Sequence, residues 1–365
     1  MRITCVVGTR PEVIKMSPVI QELARRPGAE VTVLSTAQHR HMVDPFLAFF
    51  GLKADIDLDA MTVGQTLPEL TARLLTRLCA VLDETRPDML LAQGDTTTVM
   101  ASAMACFYNN IPFGHVEAGL RTGDLRSPFP EEFNRRLATI AARLSFAPTT
   151  AARDNLLREG VPDDQIVMSG NTVIDALLWT VAHDPPCPVA VGPDQRLLLM
   201  TLHRRESFGA PVRAVLSAVK ALVEANPDLV VLYPVHPNPN VAEPAREILG
   251  AVDRVHLRGP LDYPDLVGAM RRAHVILTDS GGIQEEAPAL GKPVLVTRDT
   301  TERPEAVSEG VVRIIGADFD RVVAEVQRLL DDPAAYRAMA RGVSPYGDGK
   351  ASPRIADAVL SLGNY

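Results

Sequence analysis

The sequence predicts an α/β protein of two doubly wound domains, each built on a parallel sheet. The residues themselves carry this expectation. Short, uninterrupted apolar runs recur along the 365 residues, and amphipathic helical patterns separate them. One such series ends before about residue 170 and a second begins after about residue 190. Strands that are apolar along their whole length must be covered on both faces, which is the condition of a parallel sheet between helices. Right-handed crossovers then wind each series into its own domain.

In the first half the strands are expected at 2–8, 30–36, 88–93, 112–116 and 144–147, with helices at 11–26, 67–86 and 96–108. In the second half strands are expected at 196–202, 229–234, 254–257, 274–278, 293–296 and 311–315, with helices at 211–225, 262–273 and 319–330. Residues 183–194 (HDPPCPVAVGPD) form a Pro-rich break, preceded by a helical pattern at 171–182 led by Asn171 and Thr172. These signals divide the chain into an N-terminal domain, 1–169, and a C-terminal domain, 170–349. A last helical pattern within 350–365 is expected to pack back onto the first domain.

Composition excludes several classes of function. A net charge of −8 argues against broad nucleic-acid or anionic-membrane binding, so a site for an anion must be a local positive pocket. No uncharged run approaches the roughly 18 residues of a spanning helix. The chain enters its first strand without a basic-then-apolar leader, so a cytoplasmic protein is expected. Cys5, Cys79, Cys106 and Cys187 are far apart and form no CxxC pair, which suits free thiols in a reducing compartment rather than a disulfide frame or a zinc site. Only five of the 37 basic residues are lysines, and two of them, Lys15 and Lys292, fall inside motif segments. A compact ammonium and a planar guanidinium are not interchangeable at a tight site.

The candidate chemistry clusters where strands end. Asp279-Ser280-Gly281-Gly282 follows an apolar strand and opens a helix, so backbone N–H groups and the positive helix end would favour phosphate; a tight turn that uses glycine for its backbone freedom fits equally well. Glu286, one turn in, suits the hydroxyls of a sugar or ribose. Gly8-Thr9-Arg10-Pro11-Glu12 follows the first strand, with Arg10 and Lys15 a turn apart as candidates for a diphosphate or carboxylate partner. Gln93-Gly94-Asp95-Thr96-Thr97-Thr98 offers either an acid at a strand end or a plain helix cap. His115-Val116-Glu117 ends another strand, and Glu131 starts a helix, where the helix dipole favours an acid in any case. Carboxylates held apart in different surroundings can do acid–base work. His203 and His236 end successive strands of the second half and suit an anion or a leaving phosphate. Arg303 stands in a further loop of this kind. No metal-ligand spacing accompanies any of them. Together they suit a nucleotide diphosphate held opposite proton-transfer groups.

Ten segments in order, GTRPE (8–12), TAQHR (36–40), GDTTT (94–98), HVEAGLRTGD (115–124), PEE (130–132), GNTVIDALL (170–178), HRRES (203–207), YPVHPNPNV (233–241), LTDSGGIQEEAPALGKPVLV (277–296) and TERPEAV (301–307), closely resemble the non-hydrolysing UDP-N-acetylglucosamine 2-epimerases over nearly the whole chain. The resemblance implies a GT-B fold, in which two Rossmann-like domains with parallel sheets face a deep cleft, a homodimer, no cofactor and no metal. It implies interconversion of UDP-GlcNAc and UDP-ManNAc through elimination of UDP to a 2-acetamidoglucal and re-addition, supplying ManNAc for cell-surface polysaccharide.

By position it also implies roles. Asp95, Glu117 and Glu131 would be the acid–base groups, with Lys15 and Arg10 near the diphosphate and His203 assisting departure of UDP, His236 being a further UDP-site candidate. Ser280, Gly281 and Gly282 would cradle phosphate, Glu286 would hold ribose, Arg303 would contact nucleotide or sugar, and the uracil pocket would fall near 257–266, with Leu261 and Leu266. Many relatives carry an aromatic residue where Leu266 stands, so base stacking would be weaker here. A second, allosteric site would involve Gln38, His39 and Gln65, but His41 and Gly64 stand where some relatives carry other polar or basic groups. Two alternatives share the nucleotide half: a 2-epimerase for a modified UDP-HexNAc, such as a 2,3-diacetamido uronate, and a GT-B glycosyltransferase. A nucleotide-sugar sensor without catalysis is a third class, which the three carboxylates disfavour.

Overall fold

The computed structural model describes residues 1–36, 40–62, 64–301 and 303–362. The chain divides into two compact units, Met1–Ala176 with the returning segment from Tyr346, and Leu177–Pro345. In the sequence reading the boundary stands at 169/170; the units divide within the helix that follows.

The first unit runs β1 (Arg2–Val7), α1 (Arg10–Arg25), β2 (Glu30–Ser35), α2 (Arg40–Phe49), β3 (Ile56–Asp57), α3 (Leu67–Thr85), β4 (Met89–Gln93), α4 (Thr97–Tyr108), β5 (Phe113–Val116), α5 (Glu131–Ala141), β6 (Ala142–Ala147), α6 (Thr150–Arg158), β7 (Ile166–Met168) and the first part of α7 (Thr172–Ala182). The second runs β8 (Arg196–Thr201), α8 (Ala210–Ala225), β9 (Leu229–Pro234), α9 (Pro239–Leu249), β10 (Val255–Arg258), α10 (Tyr263–Arg272), β11 (Val275–Thr278), α11 (Gly281–Glu286), β12 (Val294–Val296), α12 (Pro304–Ser308), β13 (Val312–Ile314), α13 (Phe319–Asp331) and α14 (Pro333–Met339). The last helix, α15 (Ala351–Ser361), belongs to the first unit.

Both sheets are wholly parallel, ordered β3-β2-β1-β4-β5-β6-β7 and β10-β9-β8-β11-β12-β13. Each reverses its strand order once, between β1 and β4 in one unit and between β8 and β11 in the other. Crevices at the carboxyl ends of strands beside such a reversal are where doubly wound sheets bind ligands. Two strands lie outside the expected set, β3 with two residues and β7 with three. Both are edge strands, too short for an apolar run to mark them.

The cores explain the pattern. In the first unit α3 lays Leu70, Leu74, Leu78 and Leu82, one every fourth residue, against Leu90, Ala92 and Val99. In the second, Val215, Leu216, Val219 and Leu222 of α8 meet Val322, Val326 and Leu329 of α13 around Leu198 and Met200. At the tip of β1, a Cβ on Gly8 would collide with the hydroxyls of Thr36 and Thr98, which lie 3.1 Å apart. Glycine is therefore required at this strand end by close approach.

The chain leaves and re-enters the first unit along adjacent segments. The Asn171 amide donates to the Tyr346 carbonyl at 2.6 Å. Asp175 caps α15 by accepting from the amides of Ala351 at 3.2 Å and Ser352 at 2.7 Å. Arg354 donates to the Ser169 carbonyl at 3.1 Å, and Arg26 pairs with Asp357 at 3.0 Å.

Candidate active site

Glu117 is the centre of the first unit's strand ends. It follows β5 with φ +64, a left-handed conformation that a non-glycine residue adopts only when its surroundings hold it there. Its side chain is 5% exposed, and the Lys15 ammonium donates to both carboxylate oxygens, at 2.8 and 2.7 Å. The Gln93 amide donates to Oε2, and Asn171 Nδ2 donates to Oε1 at 3.3 Å. A buried carboxylate with this many donors is a preorganised charge.

Asp95 stands at the end of β4, before the cap of α4. Thr96, not Asp95, is that cap, since its hydroxyl accepts from the Val99 amide. Asp95 is thereby left for other work, and Arg135 of α5 donates to its Oδ2 at 2.5 Å. Burial raises the Asp95 carboxyl above its ordinary value; Arg135 opposes the rise and Glu117 adds to it. His115 steadies this turn from β5. Its Nε2 lies 2.7 Å from the Gly94 carbonyl, and burial holds the imidazole neutral, down to about 4.

Glu131 takes the first position of α5. Its Oε2 is buried and has no hydrogen-bond partner among the described residues. A buried acceptor left unmatched costs roughly 1–3 kcal/mol, so a donor brought to this oxygen would be stabilised. Glu132 beside it is structural. It is fully buried, accepts from the Thr122 amide at 3.1 Å, and pairs with Arg136 at 3.1 Å and Arg135 at 3.4 Å. Glu12 is structural too: its carboxylate accepts from the amides of Gly8 (2.6 Å) and Thr9 (2.8 Å) and from the Thr96 hydroxyl (2.6 Å), tying the starts of α1 and α4 together. Arg10 is exposed, with its guanidinium 5.6 Å over the Phe46 ring.

In the second unit, His203 follows β8 and Asp279 follows β11, on neighbouring strands. Asp279 is fully buried; Oδ2 accepts from the amides of His203 at 2.7 Å and Arg204 at 2.8 Å, and Oδ1 lies 2.9 Å from His203 Nδ1. Burial works to raise the Asp279 carboxyl, but the His203 side chain and the two amides outweigh it and hold the group below its ordinary value. The His236 ring stacks at 6.3 Å from that of His203.

The turn itself carries Ser280, Gly281 and Gly282, and α11 starts at Gly281. Ser280 makes no side-chain cap, and the first amides of any helix lack intrahelical partners. A Cβ on Gly281 would stand 3.7 Å from the Arg204 guanidinium, so a cation borders the turn. Glu286 Oε2 accepts from the Tyr263 hydroxyl at 2.8 Å, and that tyrosine is buried. Arg303 is bound to Glu285, and the Gln284 carbonyl accepts from the Thr301 hydroxyl at 2.6 Å. Thr301 and Arg303 are thus fastened to α11, and Arg303 already spends donors on a buried carboxylate. Leu261 and Leu266 are half-buried at the start of α10 and within it.

In the first unit the expected residues Lys15 and Glu117 meet directly, and Asp95 couples electrostatically to both. In the second, His203 meets His236, and Ser280 to Glu286 form one turn and helix. Gln65 is engaged by its own loop: its carbonyl accepts from Arg73 at 2.6 Å and from the Thr62 amide at 3.1 Å. Gln38 and His39 lie outside the described residues. Residues that sequence reasoning did not single out are Gln93, Arg135 and Asn171 around the acids, and Asp279, Arg204 and Tyr263 around the turn. Each stands inside or beside a motif, but only the fold shows what its side chain meets.

A family model described as UDP-N-acetylglucosamine 2-epimerase matches residues 21–360. The chain is 50% identical over 372 aligned positions to the UDP-N-acetylglucosamine 2-epimerase of Escherichia coli strain K12, covering 98% of each. Among solved structures it is similar to the UDP-GlcNAc 2-epimerase of Neisseria meningitidis bound to UDP-GlcNAc, at 43% identity and a TM-score of 0.89, covering 99% of this chain and 100% of that one. It is also similar to the Methanocaldococcus jannaschii UDP-GlcNAc 2-epimerase in complex with UDP-GlcNAc and UDP, at 31% identity and a TM-score of 0.77, covering both chains completely. With its two Rossmann-like units of GT-B type, the chain belongs to the UDP-N-acetylglucosamine 2-epimerase family.

Proposed function

We propose that this chain interconverts UDP-GlcNAc and UDP-ManNAc by eliminating UDP and adding it back. The C2–H bond breaks and a carboxylate takes the proton; the C1–O bond to UDP breaks, and a C1=C2 double bond forms in a bound 2-acetamidoglucal. A proton then returns to the opposite face of C2, UDP re-forms its bond to C1, and C2 is inverted. The observation that carries this reading is the set of three carboxylates in three different settings. Glu117 is ion-paired, Asp95 is raised by burial against an arginine, and Glu131 has a buried oxygen with no hydrogen-bond partner among the described residues. Groups in contrasting surroundings suit opposite proton-transfer roles. Arg204 and Lys15 are the cation candidates for a departing diphosphate and the His203 imidazole a polar partner for it, with Ser280 to Gly282 its cradle and Glu286 the acceptor for ribose hydroxyls.

Incubation with UDP-GlcNAc in D₂O, followed by NMR, tests it. UDP-ManNAc carrying deuterium at C2 is expected. Release of UDP with free ManNAc would mean hydrolysis, and no reaction without an acceptor would favour a glycosyltransferase. A 2,3-diacetamido uronate substrate in place of UDP-GlcNAc would identify the modified-sugar alternative.

A homodimer belongs to the same reading. Phe107 and Tyr108 at the end of α4 are 73% and 63% exposed, and Phe133 and Ile140, seven residues apart on the adjacent α5, are 49% and 86% exposed. Apolar side chains concentrated on neighbouring helices suit a covered face. Ile140→Asp should shift the mass measured by light scattering towards that of a single chain. A cytoplasmic setting is supported by the four free cysteines, and no helix among the described residues is long and apolar enough to cross a membrane.

A further inference from the structure

We infer that Asp279 is a positioning residue for His203, fixing its ring orientation and keeping the proton of the neutral imidazole on Nδ1, so that Nε2 is the atom presented to a ligand. The inference rests on the proposed role of His203 at the diphosphate. Asp279 is wholly buried at the end of β11, while the His203 side chain is 37% exposed, so the carboxylate lies on the protein side of the ring. Its two oxygens divide the work. Oδ2 takes the amides of His203 and Arg204, at 2.7 and 2.8 Å, which sets the course of the chain as it leaves β8. Oδ1 sits 2.9 Å from Nδ1. Among the described residues Oδ1 has no other partner.

The other groups near this pair are accounted for. The Tyr233 hydroxyl on β9 is pushed up by its own burial and, to a lesser degree, by the Asp279 charge, so it is neutral. The His236 ring lies at 28° to that of His203, and its Nδ1 accepts from the Asn238 amide at 3.1 Å. Arg204, the residue after His203, borders Gly281. Asp279 is therefore the anionic group the structure sets against His203 Nδ1, and a carboxylate accepts but cannot donate. A carboxylate at one ring nitrogen selects the tautomer and frees the other nitrogen for the ligand.

The test uses Asp279→Asn in the full chain. The amide oxygen of asparagine can keep both backbone N–H bonds, while its NH₂ group faces Nδ1 and forces the proton to Nε2. With ¹⁵N-labelled histidine, the wild type should show His203 in the Nδ1–H form near pH 8, and Asp279→Asn the Nε2–H form. Turnover in Asp279→Asn should fall by about 10²-fold, on the scale of losing a correctly oriented polar group. In a His203→Ala background the same change should cost less than about threefold, because residues that act through one another are non-additive. A wild-type His203 in the Nε2–H form overturns the inference, even if the variant does not fold. So does a full additive loss in the double variant. Failure of the underlying reading looks different: His203→Ala would then retain normal turnover, while the tautomer measurement would still report on Asp279.

Discussion

The strand ends of the two units share a topology and differ in how their charges are matched. At the reversal in the first unit, each catalytic candidate but one already has its counter-charge: Glu117 has Lys15, with the Gln93 and Asn171 amides as further donors, and Asp95 has Arg135. At the reversal in the second, the matched charges hold the scaffold, as Asp279 does for the His203 loop and Glu285 does for Arg303. What is left half-exposed there is a small-residue turn and the His203 imidazole, with Arg204 beside them. A site that must move protons needs acids whose affinity is set before the substrate arrives. A site that must accept an anion needs donors not yet committed. The difference teaches that one topology, used twice, is specialised by which side chains are already paired.

The sharpest way to break this comparison is to remove charge without removing shape. Asp95→Asn, Glu117→Gln and His203→Ala should each lower turnover by about 10²-fold or more, measured as initial rates of UDP-ManNAc formation. Near-normal turnover in all three would end the assignment of roles. Next in size is a structural control: Glu132→Ala should destabilise the first unit by about 2 kcal/mol in denaturant unfolding, because Arg135, Arg136 and the Thr122 amide lose a buried acceptor. Glu286→Gln should weaken UDP binding by about tenfold in calorimetry, the loss of one charge-assisted hydrogen bond. Tyr263→Phe, which removes only the hydroxyl that steadies Glu286, should weaken it less.

The smallest effect is a shift in pH dependence. Asp95 must be ionised to accept a proton, and burial raises its carboxyl in the folded enzyme, so the activity that depends on it is lost as pH falls through that raised value. Arg135 opposes the rise. Arg135→Gln should therefore move the acid limb of the rate profile to higher pH; an unmoved or lowered limb would show that Asp95 does not set it.

Much of this was legible in the chain itself. Continuous apolar strands between amphipathic helices fixed the doubly wound class, because only parallel sheets bury both faces. Strand ends are also where ligands bind, so reading the polar residues beside each apolar run singled out Lys15, Asp95, Glu117, His203 and the Ser280–Glu286 segment as candidates. What stayed hidden depends on contacts between distant residues. Nothing local distinguishes Glu12, which ties two helices together, from Glu131, whose oxygen lacks a partner among the described residues. Likewise Glu285 and Glu286 are adjacent, yet one anchors Arg303 and the other meets Tyr263. Strands β3 and β7 escaped because two or three residues at a sheet edge carry no periodic signal.

The division of labour between the units is tested most directly by titrating UDP into Glu117→Gln in a calorimeter. If the first unit's acids act on the sugar and the second unit's turn holds the nucleotide, this variant should bind UDP within about threefold of the wild type, a change under about 1 kcal/mol, while its turnover collapses. A loss of UDP affinity as large as the loss of turnover would contradict that division.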